Sequence, residues 1–264
     1  MGKSIGVISL KGGVGKTSTV ISLGAALSES GKKVLLVDGN FSSPNLGLHL
    51  NVIDPQITLH HVMDRTAHIH KAVYELEKFD VIPSSVFTNQ LISPLKLKDK
   101  IKSLKRNYDV ILFDSSPALN DETLGVMLAS DELLVVTTPD YATLSTTVKA
   151  VKLANQRGTK IDGLVLNKVY NKNFEIPLEN IEKTTNVPVM AVIPYDVDFL
   201  KAQFKFVPYV FHSPNSKGSD EFRRLAATLM GERHKPVKLK KFFRWINPKR
   251  QDINREIFYK SLFE

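Results

Sequence analysis

The sequence predicts an α/β fold, a doubly wound and mostly parallel sheet with helices on both faces. Three observations carry that expectation. Short apolar runs of the buried-strand type recur at residues 5–10, 34–37, 81–82, 110–113, 133–136, 164–166 and 189–193, with helical segments between most of them. Parallel strands need such crossovers, so the alternation itself argues for the sheet type. The first run breaks directly into a glycine-rich loop and then a helix. Finally, polar residues such as Asp38, Asp114 and Asn167 stand at the ends of these runs, where sheets of this kind bind their ligands.

Taken in order, Ile5 to Leu10 reads as the first strand and opens into Lys11-Gly12-Gly13-Val14-Gly15-Lys16-Thr17. Such a loop is built to hold nucleotide phosphates: backbone N–H groups surround them, Lys16 neutralises charge and the Thr17 hydroxyl binds Mg²⁺. Ser18 to Ser30 carries apolar residues at helical spacing and stops at Gly31, a C-terminal capping signal. Val34 to Val37 is a second buried strand with Asp38 at its carboxyl end. Leu97, Ile101 and Leu104 form the buried stripe of a segment whose other positions carry Lys96, Lys98, Lys100, Lys102, Lys105 and Arg106. Asp114 closes the apolar run that begins at Val110, in the place of a carboxylate that holds Mg²⁺ through water.

The chain has 264 residues, 42% hydrophobic and 24% charged, which suits one α/β domain with a sizeable core. No apolar run approaches a membrane-spanning length, and Met1 leads into a strand too soon for a signal peptide, so a cytoplasmic location is expected. His60, His61, His68 and His70 lack the acidic or thiol partners of a metal site and read as surface or packing residues.

Two details of the loop point to one family. A strict phosphate loop has glycine where Leu10 stands, and this one carries instead a second lysine, Lys11. That form resembles the deviant Walker A loop of the ParA/MinD family of P-loop ATPases, and the resemblance covers about residues 3 to 230. It implies ATP and Mg²⁺ as ligands and a homodimer closed over two nucleotides, with Lys11 reaching the nucleotide of the partner. ATP would bind at Gly12, Gly13, Val14, Gly15, Lys16, Thr17 and Ser18; Thr17, Asp38 and Asp114 would hold the metal; Lys11, Lys16, Asp38 and Asn40 would serve hydrolysis. Pro44-Asn45-Leu46 and Ser115-Ser116-Pro117 resemble the two switches. Asn167 matches the residue that recognises the base, and Pro194 and Asp196 fall in the loop that packs on adenine. The chain has no cysteine, which excludes the family branches that hold iron–sulfur clusters.

One position departs from the pattern. Most of the family ends the second strand in Asp-x-Asp, whereas here the run is Asp38-Gly39-Asn40. An amide orients a water through its carbonyl oxygen but accepts no proton at neutral pH, and losing a positioned base typically costs about 10² to 10⁴ in rate. Slow hydrolysis is the expectation; an ATP-binding scaffold with negligible turnover is the rival it leaves open.

The formal charge of +9 is concentrated at the end of the chain. From Lys235 onward nine basic residues face three acidic ones, a net of +6, leaving +3 for the first 234 residues. The expected division is a P-loop ATPase domain at 1–232 and a basic amphipathic tail at 233–264. Leu239, Phe242, Phe243 and Ile246 share one helical face, with Trp245 at its border and Lys240, Lys241 and Arg244 opposite. That pattern suits a helix lying in an anionic membrane surface, and it resembles the C-terminal targeting helix of MinD-type members. Ile253, Ile257, Phe258, Leu262 and Phe263 beyond it are apolar enough to dock on the domain or continue along a membrane. The reading is therefore a MinD-like ATP-controlled dimer that positions another protein complex at the inner face of the cell membrane and engages a regulatory or cargo protein. A ParA-like DNA-partition ATPase using the basic run at 96–106 is the alternative. A P-loop ligase or small-molecule kinase would explain neither Lys11 nor the tail.

Overall fold

The computed structural model describes residues 2–87, 92–233 and 249–262. Its strands are β1 (Lys3–Ile8), β2 (Val34–Asp38), β3 (Tyr74–Glu75), β4 (Asp80–Ile82), β5 (Val110–Asp114), β6 (Glu132–Thr137), β7 (Lys160–Val169) and β8 (Val189–Pro194). They form one sheet in the order β3-β4-β2-β5-β1-β6-β7-β8, parallel throughout except where β3 runs antiparallel to β4. The longer helices are α1 (Lys16–Glu29), α2 (Asp121–Ala129), α3 (Tyr141–Gln156), α4 (Leu178–Thr185), α5 (Lys217–Leu229) and a C-terminal helix (Arg250–Ser261).

The strands are apolar at consecutive positions because both faces of the sheet are covered. Ile5, Val7, Leu36, Leu112 and Val136 pack toward α1 and α5 with Val20, Leu23, Phe222 and Leu225. Ile8, Leu35, Val37, Ile111 and Phe113 pack the other way, against Leu97, Ile101, Val126 and Val151. Each such residue, fully buried, contributes on the order of 1.5–3 kcal/mol. The stripe Leu97, Ile101 and Leu104 is buried as its spacing predicts, while Lys96, Lys98, Lys102 and Arg106 are exposed.

β1 ends at Ile8, two residues before the apolar run does. The edge strand β3 has no counterpart among the expected strands; two residues are too few to show periodicity.

The segment Leu239 to Ile246, with Trp245, lies outside the described residues. The C-terminal helix is described, and it docks on β8 and α5. It does so by polar contacts that the apolar pattern did not anticipate: Gln251, Asn254 and Arg255 are buried while Ile253 and Ile257 are exposed, and of the described members of the expected docking set Phe258 alone is buried, Phe263 lying outside the described residues. Asn254 Nδ2 donates to Val189 O at 2.8 Å, and Arg255 donates to Met190 O at 2.7 Å and to Glu221 at 2.9 Å. Buried acids on α5 and in the helix itself demand a cation, and this demand sets the rotation of the helix.

At the amino ends of β1, β6 and β7, Asp162 is buried against Glu132, with Lys3 at 3.5 Å and Lys160 at 3.1 Å. Burial and the hydrogen bond with Glu132 push Asp162 from 3.8 to about 7. For Glu132, burial opposes ionisation but Asp162, Lys160 and Lys3 outweigh it and hold it at about 2. A carboxyl whose folded value is raised stabilises the protonated protein, so this contribution is present below the ordinary value and is lost as pH rises through about 7. Glu132 works in the opposite sense and only at lower pH. Melting temperatures at pH 5 and pH 8 are therefore expected to converge in Asp162→Asn; an unchanged difference would show that the pair does not share a proton.

Candidate nucleotide site

β1 leads into residues 9–15 and α1 begins at Lys16, so the loop ends at the helix N-terminus. Gly13 and Gly15 have φ of 77° and 93°, conformations that side chains resist. At Gly15 a Cβ would also overlap Asn167 Nδ2. The loop borders a cavity of about 420 Å³ lined by Gly12, Gly13, Gly15, Lys16, Thr17, Ser18, Asn40, Ser115, Asn167, Pro194 and Asp196; Asn45 and Pro117 of the two expected switches, with His49, Lys168, Tyr195, Phe199, Leu200 and Gln203, also line it. The expected binding residues from four separate segments thus meet around one volume.

Beneath the cavity, Asp38 and Asp114 are neighbours in register on β2 and β5. Gly39 N–H donates to Asp114 O at 2.8 Å, and a side chain at Gly39 would meet that backbone. Thr17 Oγ1 donates to Asp114 Oδ2 at 2.5 Å. Asp114 Oδ1 is buried with no hydrogen-bond partner among the described residues. Burial pushes Asp114 up to about 6 against the pull of Thr17 and Lys16. Asp38 is raised well above the ordinary carboxylate range, by burial and by the neighbouring Asp114, although the Leu46 and Asn40 N–H groups donate to it at 3.0 and 3.2 Å. Lys16 is itself buried, and that burial lowers its basicity despite the carboxylate of Asp114. A hydroxyl, two paired acids with an orphaned oxygen and a buried lysine suit a divalent cation bound with phosphate: each desolvated group gains its missing charge partner.

Lys11 points away from this cavity. Its Nζ donates to Asp140 at 3.2 Å and to Thr143 Oγ1 at 2.7 Å, at the N-terminus of α3. Burial opposes the charge on Asp140, but hydrogen bonds from Thr138, Thr143 and Lys11 hold its carboxyl well below the usual range. Lys11 remains partly exposed beside a shallow second cavity walled by Tyr170 and Phe174.

Asn167 is committed to the loop: its Nδ2 donates to Val14 O at 2.8 Å, and its oxygen accepts from Lys168 N–H at 2.9 Å. Lys168, at φ 56°, donates from Nζ to Gly13 O at 2.6 Å. No signal in the sequence assigns Lys168 that contact. Val14 lies under the loop as a buried prop rather than on the cavity wall.

Asn40 lines the cavity. Its Nδ2 donates to Ser43 O at 2.5 Å, while Oδ1 is buried and has no partner among the described residues. The carbonyl oxygen is thus left for a donor such as water.

A family model described as an AAA domain matches residues 2–162. An uncharacterised ATP-binding protein of Methanocaldococcus jannaschii is 32% identical over 244 residues, 91% of this chain and 92% of that protein. The chain is similar in structure to the cell division ATPase MinD of Pyrococcus furiosus, with a TM-score of 0.81 and 37% identity over 86% of this chain and 97% of that one. It is likewise similar to the septum site-determining protein MinD of Pyrococcus horikoshii complexed with Mg-ADP, at a TM-score of 0.82 and 36% identity, covering 87% and 96%. With the second lysine of its phosphate loop, its paired strand-end aspartates and these likenesses over most of its length, the chain belongs to the ParA/MinD family of P-loop ATPases.

Proposed function

We propose that this protein is an ATP-controlled dimerisation switch that hydrolyses ATP slowly and positions another protein complex at an anionic membrane surface. What supports the reading is a cavity whose lining suits phosphate and a divalent cation, beside a lysine that turns from it to Asp140 and Thr143. Lys16, the backbone of Gly12 to Gly15 and Ser18 would hold the phosphates of ATP, and Thr17, Asp38 and Asp114 would hold Mg²⁺, which neutralises charge on the phosphates. Pro194 and Asp196 stand on the cavity wall where a base would lie, with Asn167 bracing the loop below it.

Lys11 is partly exposed on Asp140, and dimerisation would exchange that contact for a phosphate of the partner's nucleotide. Asn40 offers a water an acceptor but no base. Turnover then depends on positioning and charge, as phosphoryl transfer allows, and the ATP-bound dimer would be long-lived.

Membrane association is attributed to Leu239, Phe242, Phe243, Trp245 and Ile246. Among the described residues no helix is long and apolar enough to cross a membrane. Two anchors on one dimer raise avidity by about 10² or more over one. In a second reading the basic run at 96–106 meets DNA; Lys96, Lys98, Lys102 and Arg106 are exposed, while Lys105 pairs with Asp131.

Co-sedimentation with anionic vesicles, with ATP and with ADP, tests the reading. Truncation after Gly231 would also remove the docked C-terminal helix, so the comparison is better made with Phe242→Glu plus Phe243→Glu. ATP is expected to drive the unsubstituted protein onto lipid and the double substitution to abolish this. Lipid binding indifferent to nucleotide and to both substitutions would overturn the membrane reading, and ATP-dependent binding to duplex DNA would then favour the second.

A further inference from the structure

Among the described residues, one buried acid has an unpartnered oxygen that neither the proposed metal site nor an ion pair accounts for. Glu122, in the first turn of α2, is buried. Its Oε1 accepts from Ser42 N–H at 2.9 Å and from the Ser42 hydroxyl, and its Oε2 is buried with no partner among the described residues. An acid at this helical position ordinarily sits in water and favours the helix dipole from there. Burying it with half its acceptor capacity unused is costly, so the contact it does make calls for an account.

That contact reaches the loop after β2. Ser42 is followed by Ser43, whose carbonyl accepts from Asn40 Nδ2 at 2.5 Å and from Asn45 Nδ2 at 2.9 Å. Asn40 is fixed at its other end by its own N–H, which donates to Asp38. Glu122 therefore holds the turn whose carbonyl engages the Nδ2 end of the Asn40 amide. With Nδ2 taken by Ser43, Oδ1 is the end left for a donor. Were the turn to shift, the amide would be free to rotate and offer Nδ2, a donor, which orients a water wrongly for attack.

We propose that Glu122 is a positioning residue for ATP hydrolysis: through Ser42 it fixes the turn at 41–43 and so keeps the Asn40 carbonyl oxygen toward the attacking water. In that step the water oxygen bonds to the terminal phosphorus as the bond to the bridging oxygen of ADP breaks. Asn40 takes no proton, so the water's proton leaves with the phosphate. The inference rests on the proposed slow hydrolysis and assigns Glu122 no contact with the nucleotide.

The test is steady-state ATP hydrolysis and ATP affinity for Glu122→Ala, Glu122→Gln and each of these in an Asn40→Ala background. Glu122→Ala is expected to lower kcat by about tenfold with affinity nearly unchanged, a loss of orientation. Glu122→Gln retains an oxygen for the Ser42 N–H and is expected to keep most of the activity, which also guards against misfolding of the alanine variant. In the Asn40→Ala background, removing Glu122 is expected to cost nothing further, because two residues acting through one contact are not additive. An equal loss in both backgrounds, a loss in affinity rather than kcat, or full activity in Glu122→Ala would overturn the assignment. Absence of turnover in the unsubstituted protein would remove the hydrolysis reading and this inference together; measurable turnover unaffected at Glu122 would remove only the latter.

Discussion

Lys16→Ala is expected to reduce ATP affinity by about 10² to 10³, the scale on which one preorganised charge or donor acts in a water-excluded site. The side chain is buried at the start of α1, where burial already disfavours its charge. A phosphate restores to it the counter-charge it lacks, so the binding gain exceeds that of a surface lysine. Alanine is at least as good a helix former, and the substitution removes an awkward buried cation, so the fold should survive. It also removes one of the influences that lowers Asp114, which will keep that carboxyl protonated to higher pH and weaken metal binding as well. Calorimetric titration with Mg-ATP checks the first effect, and titration as a function of pH checks the second. Unchanged affinity would show that the glycine loop is not where the phosphates bind.

The second large effect is expected at Arg255. Its guanidinium lies buried between Glu221 and Asp252, donating to them at 2.9 and 2.6 Å and to the Met190 carbonyl. Arg255→Leu leaves Glu221 enclosed without its cation, and breaking one side of such a pair costs on the order of 3–5 kcal/mol. The C-terminal helix has few apolar contacts to offset that loss, Phe258 being the main one. Detachment of residues 250–261 is the expected result, seen as fast amide exchange across the helix and tryptic cleavage at Arg250. Replacing Glu221 by Leu in the same chain should recover much of the stability, since apolar isosteres of buried ion pairs are often neutral. A helix that stays protected in Arg255→Leu would show that the ion pair is incidental to docking.

The parts of the molecule legible in the sequence are those in which local chemistry has one structural answer. Apolar runs such as 110–113 and 133–136 admit little but buried strands, and glycines before Lys16-Thr17 admit little but a phosphate loop. What escaped depends on direction rather than type. Lys168 reaches back to the loop because its backbone has positive φ, and no pattern of neighbours announces that. Glu122 reads as an ordinary first-turn acid until Ser42, eighty residues earlier in the chain, is seen beside it. The rotation of the C-terminal helix is not legible from its apolar residues, because polar demand elsewhere sets it: Glu221 on another helix pairs with Arg255, which turns inward while Ile257 turns outward. Asn40 reads in the sequence as an amide that orients a water through its carbonyl oxygen; that Ser43 O engages its Nδ2 is a contact of loop geometry that no pattern announces.

The sheet order β2-β5-β1 sets three strands side by side that are far apart in the chain. The loop at residues 9–15 is made early in synthesis, yet its metal-side neighbour Asp114 comes from β5, about a hundred residues later. Pairing of such distant segments is slow, because loop closure must precede any reward from contact. A nascent chain that stops short of β5 thus has a phosphate loop with no partner strand to hold it flat and no carboxylate beneath Thr17. Nucleotide cannot serve as an early template for this fold; it can only favour the chain once the long-range pairing is complete, and it then acts as a brake on unfolding.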